Sequence, residues 1–225
     1  MELPNQASII LGLPFCGRLI TPEWVTAMLC QSYPISTSVT AMPIRGLEIG
    51  EARNMVVEEA LATGARYIWF VDDDTAPPKG AIGILKYIME NGSDEVAAVG
   101  GIYCSKSEVP EPLVFRGRNQ GVFWRWRVGE TFDVDAIATG CLLIRTDIFG
   151  KLEKPWFKTN DITGETDDMY FCQKVRDAGY RIKAAGAVLC DHFSNDGKIV
   201  YRLPGDSYPM KNAVDSTQYA AVTGK

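Results

Sequence analysis

Tyr67-Ile68-Trp69-Phe70-Val71-Asp72-Asp73-Asp74 is the stretch on which the fold reading turns. Five consecutive apolar residues, rich in aromatic and branched side chains, read as a central strand buried on both faces. The run stops abruptly at three aspartates. Upstream, residues 8–13 form a short apolar run ended by Pro14, which suits a buried first strand. Residues 22–30 read as a helix with Pro22 in its first turn and Trp24, Val25, Met28 and Leu29 on one side. Residues 37–42 suit a second strand. Residues 50–64 read as a helix in which Val56, Val57, Ala60 and Leu61 recur at helical spacing and Gly64 supplies the stop. Downstream, Pro77-Pro78 start a helix with Ile82, Leu85, Ile88 and Met89 inward, and residues 96–101 form the next strand. Strand and helix in alternation predict an α/β fold with a mostly parallel central sheet flanked by helices.

The middle of the chain changes character. Residues 109–128 are rich in Pro, Gly, Arg and aromatics without a clear period, which predicts loop or irregular antiparallel structure. Residues 133–145 hold two short apolar runs around Gly140. A short helix is expected over 146–152, a longer one over 167–178 closed by Gly179, and a last strand pair over 181–189. From Pro204 the chain turns polar and small. We therefore expect one domain over 1–203 and a tail over 204–225 without its own core.

The totals narrow the function. The chain has 225 residues, 46% hydrophobic and 23% charged, ordinary for a globular protein. A net charge of -5 argues against a general nucleic-acid binder; Arg116, Arg118, Arg125 and Arg127 read as decoration of a loop or strand face. The six cysteines (16, 30, 104, 141, 172 and 190) include no CxxC pair, so buried free thiols in a reducing compartment are expected. Met1-Glu2-Leu3-Pro4-Asn5 has no basic region and no long apolar core follows, so no leader is expected. No apolar stretch approaches the ~18 residues of a spanning helix. A cytoplasmic protein without a membrane segment is the expectation.

Three places carry chemistry. Ligands of open α/β sheets bind beyond the carboxyl ends of strands, where Asp72, Asp73 and Asp74 sit. Adjacent carboxylates repel, and a divalent cation with a taste for hard oxygen ligands, Mg²⁺ or Mn²⁺, would relieve them. In an extended segment Asp72 and Asp74 point one way and Asp73 the other. The outer pair would then face a metal and Asp73 a ribose or a basic side chain. The plain alternative is a solvated turn that caps the next helix. The second place is Glu165-Thr166-Asp167-Asp168, either acids placed to suit a helix macrodipole or a general base. The third is His192, the single histidine: a satisfied polar residue, or the imidazole that completes a metal shell. Phe123-Trp124-Arg125-Trp126 reads as half-buried strand residues or as a platform for sugar rings.

Taken together, the order and spacing of these sites resemble the GT-A glycosyltransferases over about residues 8–200, specifically the inverting family 2 group and its short phage and bacterial relatives. Ala52-Arg53-Asn54 resembles that family's "ARN" element. Phe70-Val71-Asp72-Asp73-Asp74-Thr75-Ala76-Pro77-Pro78 is similar to its "DxD" metal motif. Thr139-Gly140-Cys141-Leu142-Leu143 resembles the small-residue strand that lines the acceptor side. Asp167-Asp168-Met169-Tyr170-Phe171-Cys172 resembles the "ED" helix, and His192 falls where such relatives carry a late metal-binding histidine. The resemblance implies a UDP- or GDP-sugar donor, a glycan or other hydroxyl acceptor, and Mn²⁺ or Mg²⁺ held by Asp72, Asp74 and His192. It implies Asp168 as base with Asp167 beside it, and Pro14, Phe15, Arg53, Asp73 and Gly140 around the nucleotide sugar, Pro14-Phe15 forming a loop near the base. Two departures stand out. The acidic pair is Asp-Asp rather than Glu-Asp, which keeps Glu165 a candidate base. The segment Val39-Thr40-Ala41-Met42-Pro43-Ile44-Arg45 has no acidic residue to read the nucleobase. Asp72-x-Asp74 also fits a haloacid-dehalogenase-type phosphatase, and residues 11–18 loosely match a nucleotidyltransferase loop. A non-catalytic nucleotide- or glycan-binding module is the third alternative.

Overall fold

The computed structural model describes residues 7–203 apart from 36, 118, 119, 161 and 163; the tail expected over 204–225 lies outside the described residues. The strands are β1 (Ala7–Phe15), β2 (Thr37–Arg45), β3 (Tyr67–Val71), β4 (Thr75–Ala76), β5 (Val96–Ile102), β6 (Val114–Phe115), β7 (Thr131–Val134), β8 (Ala136–Ile137), β9 (Cys141–Arg145), β10 (Arg181–Leu189), β11 (Asp191–Phe193) and β12 (Val200–Tyr201). The helices are α1 (Pro22–Leu29), α2 (Ile49–Thr63), α3 (Ala81–Glu90) and α4 (Asp167–Asp177), with a 3-10 helix at Thr146–Lys151.

One seven-stranded sheet runs in the order β2-β1-β3-β9-β5-β10-β7. β1 pairs in parallel with β2 and β3, and β5 with β10. β9 lies antiparallel between β3 and β5, and β7 antiparallel along β10. Most strands therefore point one way, as the alternation of strands and helices predicts. β3 is buried along its whole length. Its alternation sends Ile68 and Phe70 into a core with Val56 and Val57 of α2 and Phe171 of α4. Tyr67, Trp69 and Val71 enter a second core with Trp24 of α1 and Ile82 and Leu85 of α3. Helices thus cover both faces of the sheet, and the aspartates after Val71 emerge where the two layers end.

The caps explain the helix limits. Thr21 accepts the Trp24 N–H at 3.1 Å with its hydroxyl, and Pro22 opens α1. Glu48 caps α2 by accepting the Glu51 N–H at 3.1 Å, and Gly64 closes it with φ 68°. Asn54 of α2 pins the segment before α4: its amide donates to the Phe157 carbonyl at 2.8 Å and accepts the Trp156 and Phe157 N–H groups at 3.0 Å.

Several expectations need correction. β1 and β2 run longer than their apolar runs, through Pro14-Phe15 and Pro43. Proline is tolerated at Pro14 because the pairing of β1 with β3 ends at Gly12 and Phe70, so that side needs no N–H. Pro77-Pro78 do not open a helix. β4 precedes them and α3 starts at Ala81 behind Gly80. In α1 Trp24 is buried and Met28 packs partly buried beside it, whereas Val25 is 40% and Leu29 80% exposed; half of the expected apolar side faces outward. Residues 181–189 form a single strand, not a pair, and the return strand is the short β11. Within residues 109–128, β6 pairs antiparallel with β8. Trp126 is 2% exposed and stacks on Phe132, ring centroids 5.8 Å apart, so its ring is core and not a sugar platform.

All six cysteines are free thiols; Cys104, Cys141, Cys172 and Cys190 are buried, Cys16 and Cys30 exposed. Burial pushes the Cys104 and Cys172 thiols up to about 12, and a protonated thiol is a poor nucleophile. A thiol-reactive dye at pH 8 is therefore expected to label two cysteines of the native chain promptly and all six after denaturation. Prompt labelling of a third in the native chain would contradict this packing.

Candidate active site

The aspartates occupy a turn rather than an extended strand. The Thr75 N–H donates to the Asp72 carbonyl at 3.1 Å, and the Trp24 indole N–H donates to the same oxygen at 2.8 Å. The Asp72 N–H donates to the Gly140 carbonyl at 3.1 Å, and the Gly140 N–H donates to the Tyr103 hydroxyl at 2.8 Å. Gly140 is required by space: a Cβ there would collide with the Tyr103 hydroxyl and come within 2.8 Å of Thr75 Oγ1. The turn breaks the in-out alternation expected of Asp72 and Asp74. It is also not a solvated cap, since Asp73 is 2% and Asp74 5% exposed, and the N-terminus of α3 is capped at Gly80.

Each carboxylate has its own counter-charge. Both oxygens of Asp72 accept from Arg53 Nη2, at 2.8 and 2.9 Å. Arg53 Nη1 donates to Asp167 Oδ2. One buried guanidinium, 3% exposed, therefore ties the turn after β3 to the first residue of α4. Burial raises the carboxyls of Asp72 and Asp167 above their ordinary range against the pull of Arg53. Asp73 accepts from Arg18 Nη1 at 2.6 Å and from the Cys16 N–H at 2.9 Å. Asp74 Oδ2 accepts from Lys106 Nζ at 2.5 Å and faces Arg18 Nε at 3.2 Å.

Asp74 Oδ1 faces His192 Nε2 at 3.5 Å. β11 makes this possible: it pairs antiparallel with β4, His192 opposite Thr75, which folds the histidine back over the aspartates. His192 Nδ1 lies 2.6 Å from the Cys104 carbonyl. A carbonyl can only accept, so Nδ1 carries a proton and Nε2 is the atom turned to Asp74. A neutral ring then sets a lone pair against a carboxylate oxygen, an arrangement that calls for a proton or a metal ion between them. Burial would raise the Asp74 carboxyl, but the contact with His192 and the charges of Lys106 and Arg18 hold it well below the carboxylate range. Among the described residues no group of three or more His, Cys, Asp and Glu side chains could hold a metal ion. Asp74 and His192 are a facing pair of donor side chains. Small hard cations often take one or two protein ligands and keep the remaining sites for water and phosphate oxygens.

The α4 acids divide. Asp167 is buried against Arg53. Asp168 is half-buried, accepts from the Thr166 hydroxyl and the Met169 N–H, and stands near enough to bear electrostatically on Arg53 and Tyr103. Glu165 is exposed. α4 starts at Asp167, so both aspartates sit in its first turn, where the macrodipole favours negative charge. Pro14 and Phe15 end β1 instead of forming a loop. Phe15 packs edge-on against Trp24 at 6.0 Å, beside the indole that holds the Asp72 carbonyl.

Sequence reasoning missed Tyr103 and Lys106, and met Arg18 only as the end of the loose nucleotidyltransferase match. Arg18 follows Gly17 after the first strand and was legible as a basic loop residue; Tyr103 and Lys106 gave no local signal. A cavity of about 490 Å³ opens at the opposite end of β3 among Arg66, Tyr67, Glu90 and Arg145. Its lining carries both signs of charge, with Tyr67 paired to Glu90 and Arg145 to Asp147.

No family model matches the sequence, and no curated protein matches it. Solved structures do. The crystal structure of A197 from STIV superposes with a TM-score of 0.59 at 16% identity, covering 88% of this chain and 94% of that one. GalNAc-T7, solved with UDP, GalNAc and Mn²⁺, superposes with a TM-score of 0.56 at 11% identity over 91% of this chain. This chain spans 45% of that protein's length. No helix among the described residues is long and apolar enough to cross a membrane. The mixed sheet, with helices on both faces and an acidic turn beyond β3, is the GT-A fold.

Proposed function

We propose that this chain is a metal-dependent glycosyltransferase that moves a sugar from a UDP- or GDP-sugar to an acceptor hydroxyl with inversion at the anomeric carbon. The observation that carries the reading is the corner where Asp74 meets His192, joined through the aspartate turn and Arg53 to the acids of α4. The GT-A fold supports it. So does the UDP, GalNAc and Mn²⁺ bound by GalNAc-T7, as a likeness of fold.

In this reading Asp74 and His192 hold Mn²⁺ or Mg²⁺. Asp72, which the sequence pairs with Asp74, spends its carboxylate on Arg53 and orients that guanidinium. A bound cation supplies a Lewis acid that neutralises the departing nucleoside diphosphate. Asp168 accepts the proton of the acceptor hydroxyl, and the acceptor's oxygen forms the new bond to the anomeric carbon as the bond to the diphosphate breaks. Asp167, held by Arg53, positions α4 so that Asp168 faces the donor. Glu165, exposed and outside the helix, is the weaker candidate for the base. Gly140 and the Tyr103 hydroxyl form the floor, and Pro14 and Phe15 the wall on the nucleotide side. The acceptor is a glycan or another hydroxyl compound.

Thermal unfolding should find the donor. UDP, GDP or their sugars at about 100 times Kd, with Mn²⁺, are expected to raise Tm by about 5–10 °C, with a smaller shift without metal. Asp168→Asn should keep that shift while kcat for nucleoside diphosphate release falls roughly 10²- to 10⁴-fold. Absence of any shift, together with rapid metal-dependent turnover of a simple phosphate ester, would favour the phosphatase chemistry instead.

The Arg53 bridge makes a separate prediction. Arg53→Met strands the buried Asp167 and the half-buried Asp72 carboxylates and is expected to cost about 3–5 kcal/mol of stability in urea denaturation. Arg53→Lys keeps a charge but not the fork that spans both partners. It should lose less stability than Arg53→Met and still lower kcat. Equal stability of Arg53→Met and wild type would show that the bridge does not form.

A further inference from the structure

Lys106 has no place in the reading above, yet it makes one of the shortest contacts in the site. It sits in the loop after β5, and its ammonium donates to Asp74 Oδ2 at 2.5 Å and to Asn195 Oδ1 at 3.3 Å. It therefore joins three separate segments: its own loop, the aspartate turn and the loop after β11. Its side chain is 23% exposed, so it reaches the carboxylate from the open side of the site. The two oxygens of Asp74 are divided. Oδ1 faces His192 and the Thr75 hydroxyl, while Oδ2 takes Lys106 and Arg18.

Counted by formal charge, Asp72, Asp73, Asp74 and Asp167 face Arg18, Arg53 and Lys106 in direct ion pairs, and Asp168 adds one more negative charge. Three cations facing five acids leave two formal negative charges, but those charges are not free on Asp74. A divalent ion that arrived at Asp74 and His192 would meet a positive charge already seated on the same carboxylate. Like charges a few ångströms apart repel strongly where water is scarce. Arg53 cannot leave, because it is buried between two carboxylates. Lys106 can, because it hangs on a flexible four-carbon stem at the open edge.

We propose that Lys106 is a tethered counter-ion: it holds Asp74 while the site is empty and transfers to the diphosphate of the incoming nucleotide when a divalent cation takes Asp74. The inference rests on the donor reading and deepens it. Lys106 becomes the residue that couples metal binding to nucleotide binding. The same ammonium opposes bare metal, which finds Asp74 taken, and favours metal together with diphosphate, whose oxygens give the ammonium a new partner. The exchange moves one ion pair and breaks no covalent bond.

The test separates these opposed effects. Mn²⁺ binding is measured by calorimetry on the free protein, and UDP and GDP binding is measured at saturating Mn²⁺, for wild type, Lys106→Met and Lys106→Arg. Lys106→Met is expected to bind Mn²⁺ alone about ten-fold tighter and the nucleotide about ten-fold weaker. Lys106→Arg, which keeps the charge, is expected to stay near wild type in both. A purely structural lysine would move both affinities in one direction or neither, and either result overturns the proposal. A wild-type chain that takes up neither Mn²⁺ nor nucleotide overturns the donor reading and this role with it. Wild-type binding with an unchanged Lys106→Met variant overturns the role of Lys106 alone.

Discussion

The site depends on one buried guanidinium. Arg53 accepts nothing and donates to Asp72 on one side and Asp167 on the other, partners that belong to different elements and lie far apart in the chain. A charge taken out of water is tolerable only when its partners and geometry are good. Arg53 meets that condition by bridging two acids at once, with the rings of Phe70 and Phe157 about 6 Å from its carbon. These rings belong to the core between α2 and the sheet. The electrostatic bridge and the hydrophobic packing therefore fix the same distance, that between the end of β3 and the start of α4. Asn54, one residue on, repeats the arrangement with the backbone at 156–157. Together they turn the first two turns of α2 into the bracket for the acids.

The second constraint is the small sheet of β4, β11 and β12. Without it, the chain leaving β10 would have no reason to return over the aspartates. The antiparallel pairing of Thr75 with His192 places the imidazole, and the Cys104 carbonyl fixes which nitrogen carries the proton. The T-shaped contact with Tyr103, centroids 4.9 Å apart, sets the ring plane. Three weak constraints on one side chain amount to preorganisation: the ring is held before any ligand arrives, so binding need not order it.

Much of this was legible in the sequence where one local pattern sufficed. The run 67–71 announced a two-faced strand because its neighbours in space are apolar on both sides, and all five residues are buried. α2 and α4 were readable from period and stop signals. The Asp turn, Arg53, the α4 acids and His192 were readable as candidates because each sits at an element end. The directions of the aspartates were not readable. Alternation assumes extended backbone, and the hydrogen bond from Thr75 to the Asp72 carbonyl closes a turn instead. The outward face of α1 was misread for a related reason. Periodicity reports that apolar residues share a side, but Val25 and Leu29 lie beyond the reach of the sheet that holds Trp24. Lys106 was invisible because its meaning lies wholly in a contact across thirty-two positions of chain.

Stability and chemistry pull on the acidic turn in opposite directions. Three successive carboxylates at a sheet edge must be neutralised for the chain to fold, yet a site that grips a cation and a diphosphate needs some of that neutralisation to be removable. The two demands are met by using different cations for different acids. Asp72 receives the immovable one, Arg53. Asp73 accepts a backbone N–H as well as Arg18, so part of its support is fixed by the fold of β1. Asp74 leans on side chains only, with Oδ2 on Lys106 and Arg18 from loops and Oδ1 toward His192 of β11. Support passes from rigid to exchangeable along the turn, from Asp72 to Asp74. On the proposed reading, a ligand that carries its own positive charge displaces the exchangeable partners of Asp74 without disturbing the bridge at Asp72, and one short acidic run then serves both the fold and a binding site.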